Sequence, residues 1–456
     1  MRRNKITILL WAALGLAALF LLVSCVGPEA PPAPSSVADT EQAEPDPSPT
    51  LEILSIRIGE QEVLFSAESF IAREGPFDAE DFRDKLSLLP ALQSVDLKKA
   101  KVADAAARAL CDDFPHIRFQ WILSVGGQSL PSDTQDVETA DADALLAALP
   151  YLPDLKTARV LEQGETPKEQ ETCRAMADAR PDVVFVWDYA LYGKVFSTDA
   201  ETVNLDKTRL TDTEELRAAL PYFPRLTRVE IDDTGLADAQ LGELVDEFLS
   251  IRFVWTVQLR YAVYRVKTDD TCFTTKALAY WGRIPTRLTS ADLEPLRWCR
   301  DMVAIDIGHN AVTTLDFLRP LQKLEMLIIA DNRVRDADIT ALTELPRLSY
   351  LEVFMNKLTD ASVFTRMTAL EDLNIGFNEI TDLSPLHECA WLKRLWVCRQ
   401  LKKAVPQKEQ EALRAALPDC AFSFNNAGST NDGWRMHPRY YWMRAMLNRP
   451  VPGKEY

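Results

Sequence analysis

The asparagines at 310, 332, 356 and 378 close four copies of one nine-residue pattern, and nothing else in the chain restricts its fold as strongly. The copies read MVAIDIGHN (302–310), LEMLIIADN (324–332), LSYLEVFMN (348–356) and LEDLNIGFN (370–378). Each has an apolar residue, two free places, an apolar residue, one free place, Ile or Val, two free places and Asn. A worn copy, LKRLWVCRQ (392–400), follows with Gln in the last place. The spacings of 22, 24 and 22 residues predict a stack of coils, each too small to bury its own apolar face.

These residues resemble the short leucine-rich repeats of internalin-like proteins. The stretches after the Asn fit too: NEITDLSPL, NKLTDASVF, NRVRDADI and NAVTTLDFL, the last without the Asp. The resemblance implies a short parallel strand per coil on a concave face. It also implies that the Asn amide turns inward to bond backbone groups that the tight bend would leave unpaired. Asn310, Asn332, Asn356 and Asn378 are therefore expected to be structural rather than ligand-binding.

A longer repeat lies upstream. LPALQSVDL (89–97), LPDLKTARV (152–160) and FPRLTRVEI (223–231) match one another, as do FPHIRFQWIL (114–123), RPDVVFVWDY (180–189) and LSIRFVWTVQ (249–258). Trp121, Trp187 and Trp255 stand 66 and 68 apart. Amphipathic segments such as DTEELRAALPYFP and DAQLGELVDEF precede and separate the two strands, so the unit reads helix, strand, helix, strand over about 67 residues. Such alternation requires parallel strands with helices outside. One repeat position in a strand makes the Trp residues core, not ligand platforms. The recurrent PSD, STD and KTDD (131–133, 197–199, 267–270) invite a paired-carboxylate reading, but their fixed phase favours turn or capping roles.

The expected fold is an α/β leucine-rich repeat solenoid with a curved parallel sheet. Larger helix-strand coils fill 51–290, short coils fill 291–403, and a helix-strand cap and tail fill 404–456. The turns, the YLEVF strand and the GWR…YYWMRAML tail (433–447) resemble uncharacterised leucine-rich repeat lipoproteins of gut Firmicutes. That resemblance implies a fold and a surface location, and no activity.

The N-terminus, MRRNKITILLWAALGLAALFLLVSC, has a basic start, an apolar run and Leu22-Val23-Ser24-Cys25. It resembles a bacterial lipoprotein signal (1–24) cleaved before a lipid-bearing Cys25; the alternative is a plain membrane anchor. Residues 26–50 hold seven Pro, five acids and no base, a composition suited to an extended tether. Loss of Arg2, Arg3 and Lys5 with the signal takes the formal charge from -17 to about -20, which argues against nucleic-acid partners. The seven remaining Cys have no C-x-x-C spacing and are odd in number, so they read as buried apolar residues rather than a disulfide framework. No metal-ligand spacing, nucleophile motif or phosphate loop points to an enzyme or a cofactor.

Function should then lie on the strand face. With Leu and Ile turned inward, the third, fifth and seventh places of each copy point to the concave side. Met326, Ile328, Tyr350, Glu352, Phe354, Asp372, Asn374, Arg394 and Trp396 occupy those rows, and together have the composition of a protein-binding patch. The expectation is a tethered protein that binds a protein or peptide there. Alternatives are a glycan or cell-wall binder stacking sugars on the aromatics, or a hydrolase using acids of the long repeats. An exposed patch predicts that Phe354→Ala with Trp396→Ala is tolerated. Residues 425–456, with Trp434, Tyr440, Tyr441 and Trp442 beside Arg435, Arg439 and Arg444, read as a docking cap rather than a binding arm. If that cap folds over the concave face, the patch is buried instead.

Overall fold

A computed structural model describes residues 54–161, 167–261, 264–275 and 287–447. Cys25, the signal 1–24 and the tether 25–50 lie outside the described residues. From Ser55 onward the chain forms one compact unit.

Each long unit contains more than the sequence pattern gives. It opens with an antiparallel hairpin and then places three parallel strands, with a helix after the first and another after the second. In the second unit the hairpin is Ile122–Val125 with Gln128–Pro131, and the parallel strands are Asp136–Thr139, Thr157–Val160 and Val184–Val186. The helices between them are Ala142–Ala148 and Pro167–Ala179. The first unit repeats this with Ser69–Ile71, Ser94–Asp96 and Arg118–Gln120, the third with Thr202–Asn204, Arg228–Glu230 and Arg252–Val254. Among the described residues, hydrogen bonding therefore gives three three-stranded parallel sheets followed by one of seven strands, beside four two-stranded pairs.

The hairpins of the second and third units, and the antiparallel turn before the seven-stranded sheet, share a local cause. The backbone N–H groups of Trp121, Trp187 and Trp255 donate to the hydroxyls of Ser132, Thr198 and Thr268, at 3.1, 3.0 and 3.3 Å. The N–H groups of those three residues return bonds to the Trp carbonyls. All six residues are buried. The PSD, STD and KTDD stretches are thus the outgoing arms of hairpins. Their acids do not converge: Asp133 meets Lys98, Asp199 meets Arg159 and Asp269 meets Arg228. The hydrogen bond from Lys98 holds Asp133 below the usual carboxylate range.

The seven-stranded sheet runs Cys272–Thr274, Ala304–Asp306, Met326–Ile328, Tyr350–Glu352, Asp372–Asn374, Arg394–Trp396 and Ala421–Ser423, all parallel and paired without offset. Behind the four strands from Ala304–Asp306 to Asp372–Asn374 an Asn side chain performs the role that the bend demands. Asn356 Oδ1 accepts from the Val334 N–H at 3.0 Å, and its Nδ2 donates to the carbonyls of Ile329, Val353 and Phe354. Asn332 and Asn378 repeat this set one coil before and after. Gln400 extends it, accepting from Ile380 N–H and donating to Ile375 O, so the worn copy keeps the amide ladder. The residue before each amide, His309, Asp331, Met355, Phe377 or Arg399, takes a left-handed φ of 37–61°. None is β-branched, as that conformation requires. Third unit and short coils meet where Trp298 packs against Gly242; a Cβ there would stand 2.3 Å from the indole.

Removing one amide strands the buried N–H it accepts from, Val334 or Leu358, and takes one of two donors from each carbonyl it bonds. Asn356→Ala and Asn378→Ala are each expected to cost about 1–3 kcal/mol in denaturant unfolding; unchanged midpoints in both would contradict the ladder.

Candidate functional site

The two halves of the molecule treat the same strand face differently. In the long units, strands such as Ser94–Asp96 and Arg228–Glu230 bury only their middle residue and leave the outer ones at least partly open to water. In the short coils, all three residues of five consecutive strands are buried, from Ala304–Asp306 to Arg394–Trp396. The Leu and Ile side faces the core. Residues 425–447 of the same chain lie over the other side.

This corrects the expectation of an exposed patch. Met326, Ile328, Tyr350, Glu352, Phe354, Asp372, Asn374, Arg394 and Trp396 do share one face, in the rows that the pattern gives, but none meets solvent freely. Arg394 is the most accessible at 8 %. Phe354 and Trp396 are each 5 % exposed and belong to a second apolar cluster with Tyr350, Trp434 and Met443, distinct from the main core. Their joint replacement by Ala therefore removes contacts rather than trimming surface.

Trp434 is the centre of the cover. Its ring lies 5.3 Å from that of Tyr350 and 5.0 Å from that of Trp396, and the Arg394 guanidinium sits 4.6 Å over it. Its Nε1–H donates to Glu352 Oε1 at 2.8 Å, and its carbonyl accepts from Arg394 Nη1 at 3.0 Å. Arg394 in turn grips Asp372 with two parallel bonds of 2.8 and 2.9 Å. Around this slot the acids of the sheet meet the bases of the segment. Arg435 bonds both oxygens of Glu352, and Arg439 reaches Asp372 and Glu371. Burial works against the Arg435 charge, yet the Glu352 carboxylate outweighs it and pushes the guanidinium pKa upward. Burial, helped by the same carboxylate, also raises the Tyr350 hydroxyl well above its ordinary value.

Side chains of the sheet also hold the segment by its backbone. Asn374 Nδ2 donates to Ser429 O at 2.6 Å and Trp396 Nε1 to Asn431 O at 2.9 Å. The thiols of Cys398 and Cys272 point at the carbonyls of Gly428 and Met446. Among the described residues, no main-chain bond joins the segment to a strand of the sheet; its main-chain bonds are local. The segment carries a short turn at Trp434–Met436 and a helix at Pro438–Leu447, with Gly433 at φ 80° before them. The sequence named a cap folded over this face as the alternative to an exposed patch, and that alternative is what is found, although the pattern did not pair Trp434, Arg435 or Arg439 with particular acids. The signal available was compositional, an aromatic and arginine-rich stretch at the end of an acidic chain. Among the described residues no group of three or more His, Cys, Asp or Glu is arranged to hold a metal.

No protein-family model matches the chain. Over 82 residues it is 34% identical to Toll-like receptor 10 of Bos taurus, a stretch that is 17% of this chain and about a tenth of that receptor's length. Solved structures similar to it include an internalin C2 of Listeria monocytogenes, with 23% identity, 42% of this chain and 78% of that one covered, and a TM-score of 0.23. A second internalin of that organism covers 82% and 88% of the two chains at 13% identity and a TM-score of 0.24. A leucine-rich repeat protein of Leptospira interrogans covers 75% and 92%, again at 13% identity, with a TM-score of 0.26. The assignment of the fold as an α/β leucine-rich repeat solenoid rests on the chain's own strand and amide ladders.

The cover has a chemical signature. Burial pushes the Cys398 thiol up to about 11, and the core thiols of Cys173 and Cys389 to about 12. At pH 8 all three should resist a thiol reagent for as long as the native fold lasts and react readily in denaturant. A Cys398 that reacts in native buffer at the denatured rate would mean that the segment does not cover it.

Proposed function

We propose that the protein is a membrane-tethered, extracytoplasmic binding protein that holds a polypeptide partner on its strand face and performs no catalysis. One observation carries this reading: a polypeptide segment already sits on that face, held by aromatic stacking, paired charges and bonds to its backbone carbonyls. A face that grips carbonyls through Asn374, Arg394 and Trp396 has the equipment for peptide recognition. The outer strand residues of the long units, among them Asp96, Arg228 and Glu230, extend a polar recognition surface beside it. The acidic chain, at formal charge -17, is poorly suited to nucleic acid. Tethering follows from Leu22-Val23-Ser24-Cys25 and the Pro-rich stretch after it: Cys25 carries the lipid, and the folded coils stand off the membrane on the outer side.

Two experiments test the two parts. Cys25→Ala should abolish metabolic labelling with a lipid precursor and leave the signal uncleaved; normal labelling of that variant contradicts the anchor. Lipid-free chain 51–456 should capture material from surface extracts that is destroyed by protease and survives periodate oxidation. The opposite sensitivity would assign the face to glycans.

A further inference from the structure

We infer that the strand face of the short coils is a recognition groove for a Trp-Arg-x-x-x-Arg segment of an extracytoplasmic partner protein, with residues 429–447 as its resident internal occupant. This rests on the binding function proposed above and gives the partner a chemistry.

Three observations separate an occupant from a packing element. Apart from Val186 and Val254, the long units keep the same face at least partly open to water, so such a sheet needs no cover to persist. The segment makes no main-chain bond to the strands among the described residues, so it can leave without breaking the ladder. Its outer side, with Met436, Tyr441 and Trp442, remains 74, 51 and 48 % exposed, so it is seated by one side only. The inner side also has the character of recognition. A cap that served stability alone would present apolar residues such as Trp434 and Met443 only, because buried ion pairs contribute little net stability and discriminate between partners. Here Glu352 and Asp372, 0 and 1 % exposed, meet Arg435 and Arg439.

With the segment lifted, Glu352, Glu371 and Asp372 face outward against Arg394 alone of the site's bases, around an aromatic slot formed by Tyr350 and Trp396. That vacancy selects an indole followed at once by one guanidinium and, four residues later, by a second. Trp434, Arg435 and Arg439 supply that spacing from within. A partner carrying it competes with a tethered copy whose effective concentration is high, so the groove binds weakly until the internal copy is loosened.

The test uses the full chain, its Trp434→Ala/Arg439→Ala variant, and a fluorescein-labelled synthetic peptide of residues 426–447. The variant should bind the peptide at least about tenfold more tightly than the wild type. Cys398 of the variant should react with a thiol reagent while Cys389 stays protected, and peptide should restore protection. A control peptide with Arg435→Glu and Arg439→Glu should do neither. The inference is overturned if Cys398 becomes reactive and no peptide binds. It is equally overturned if Cys398 and Cys389 become reactive together, since the segment would then be inseparable from the fold, or if Cys398 stays as protected as in the wild type. Failure here leaves the open faces of the long units as the proposed binding surface, whereas failure to capture any protein partner leaves a peptide result standing.

Discussion

The register of the short-coil sheet depends on one interaction, the buried side-chain amide that fills the bend of each coil. A turn this tight leaves carbonyls and an N–H pointing inward, where no water reaches them. Asn332, Asn356 and Asn378 each satisfy an N–H of the preceding coil and carbonyls of both coils, so every amide fixes the bend and its spacing from the previous coil. Strand pairing without offset follows. That pairing puts Tyr350 beside Asp372 and Asp372 beside Arg394, and Glu352 beside Asn374 and Asn374 beside Trp396. The cost is a left-handed residue before each amide, accepted even at Met355 and Phe377.

On that frame the sheet carries charge where solvation is poor. Glu352 and Asp372 would be expensive to bury alone. Asp372 is tied by Arg394 within the sheet, but Glu352 has only the Tyr350 hydroxyl there and finds its cation, Arg435, with a second neutral donor, Trp434, in the C-terminal segment. The electrostatic need of the face and the composition of the segment match one another. Sheet and segment form a receptor and a ligand in one chain.

The sequence contained the coil period, the amide positions and the residues of each outward row, because these follow from a short repeat with a fixed hand of alternation. Gln400 in the ladder was readable as well, since it has the same amide. What the pattern did not contain was the hairpins: the Ser or Thr to Trp bonds that close those of the second and third units and the turn before the seven-stranded sheet span 11 to 13 residues and have no periodic hydrophobic signal. Exposure was misjudged for a related reason. Alternation tells which side of a strand a residue is on, not whether another segment lies there. Trp434 and Glu352 are 82 positions apart, and only the folded chain brings the indole N–H to the carboxylate.

The claim that Glu352 holds the segment through Arg435 is tested most directly by a double-mutant cycle. Wild type, Glu352→Gln, Arg435→Gln and the double variant would be compared by native-state hydrogen exchange, reading the opening free energy of amides in Pro438–Leu447. Glutamine at 352 keeps an acceptor for the Trp434 indole, so the cycle isolates the charge pair. A coupling of about 1 kcal/mol or more between the two sites is the result expected of a half-buried pair in direct contact. Additivity within about 0.3–0.5 kcal/mol would contradict it.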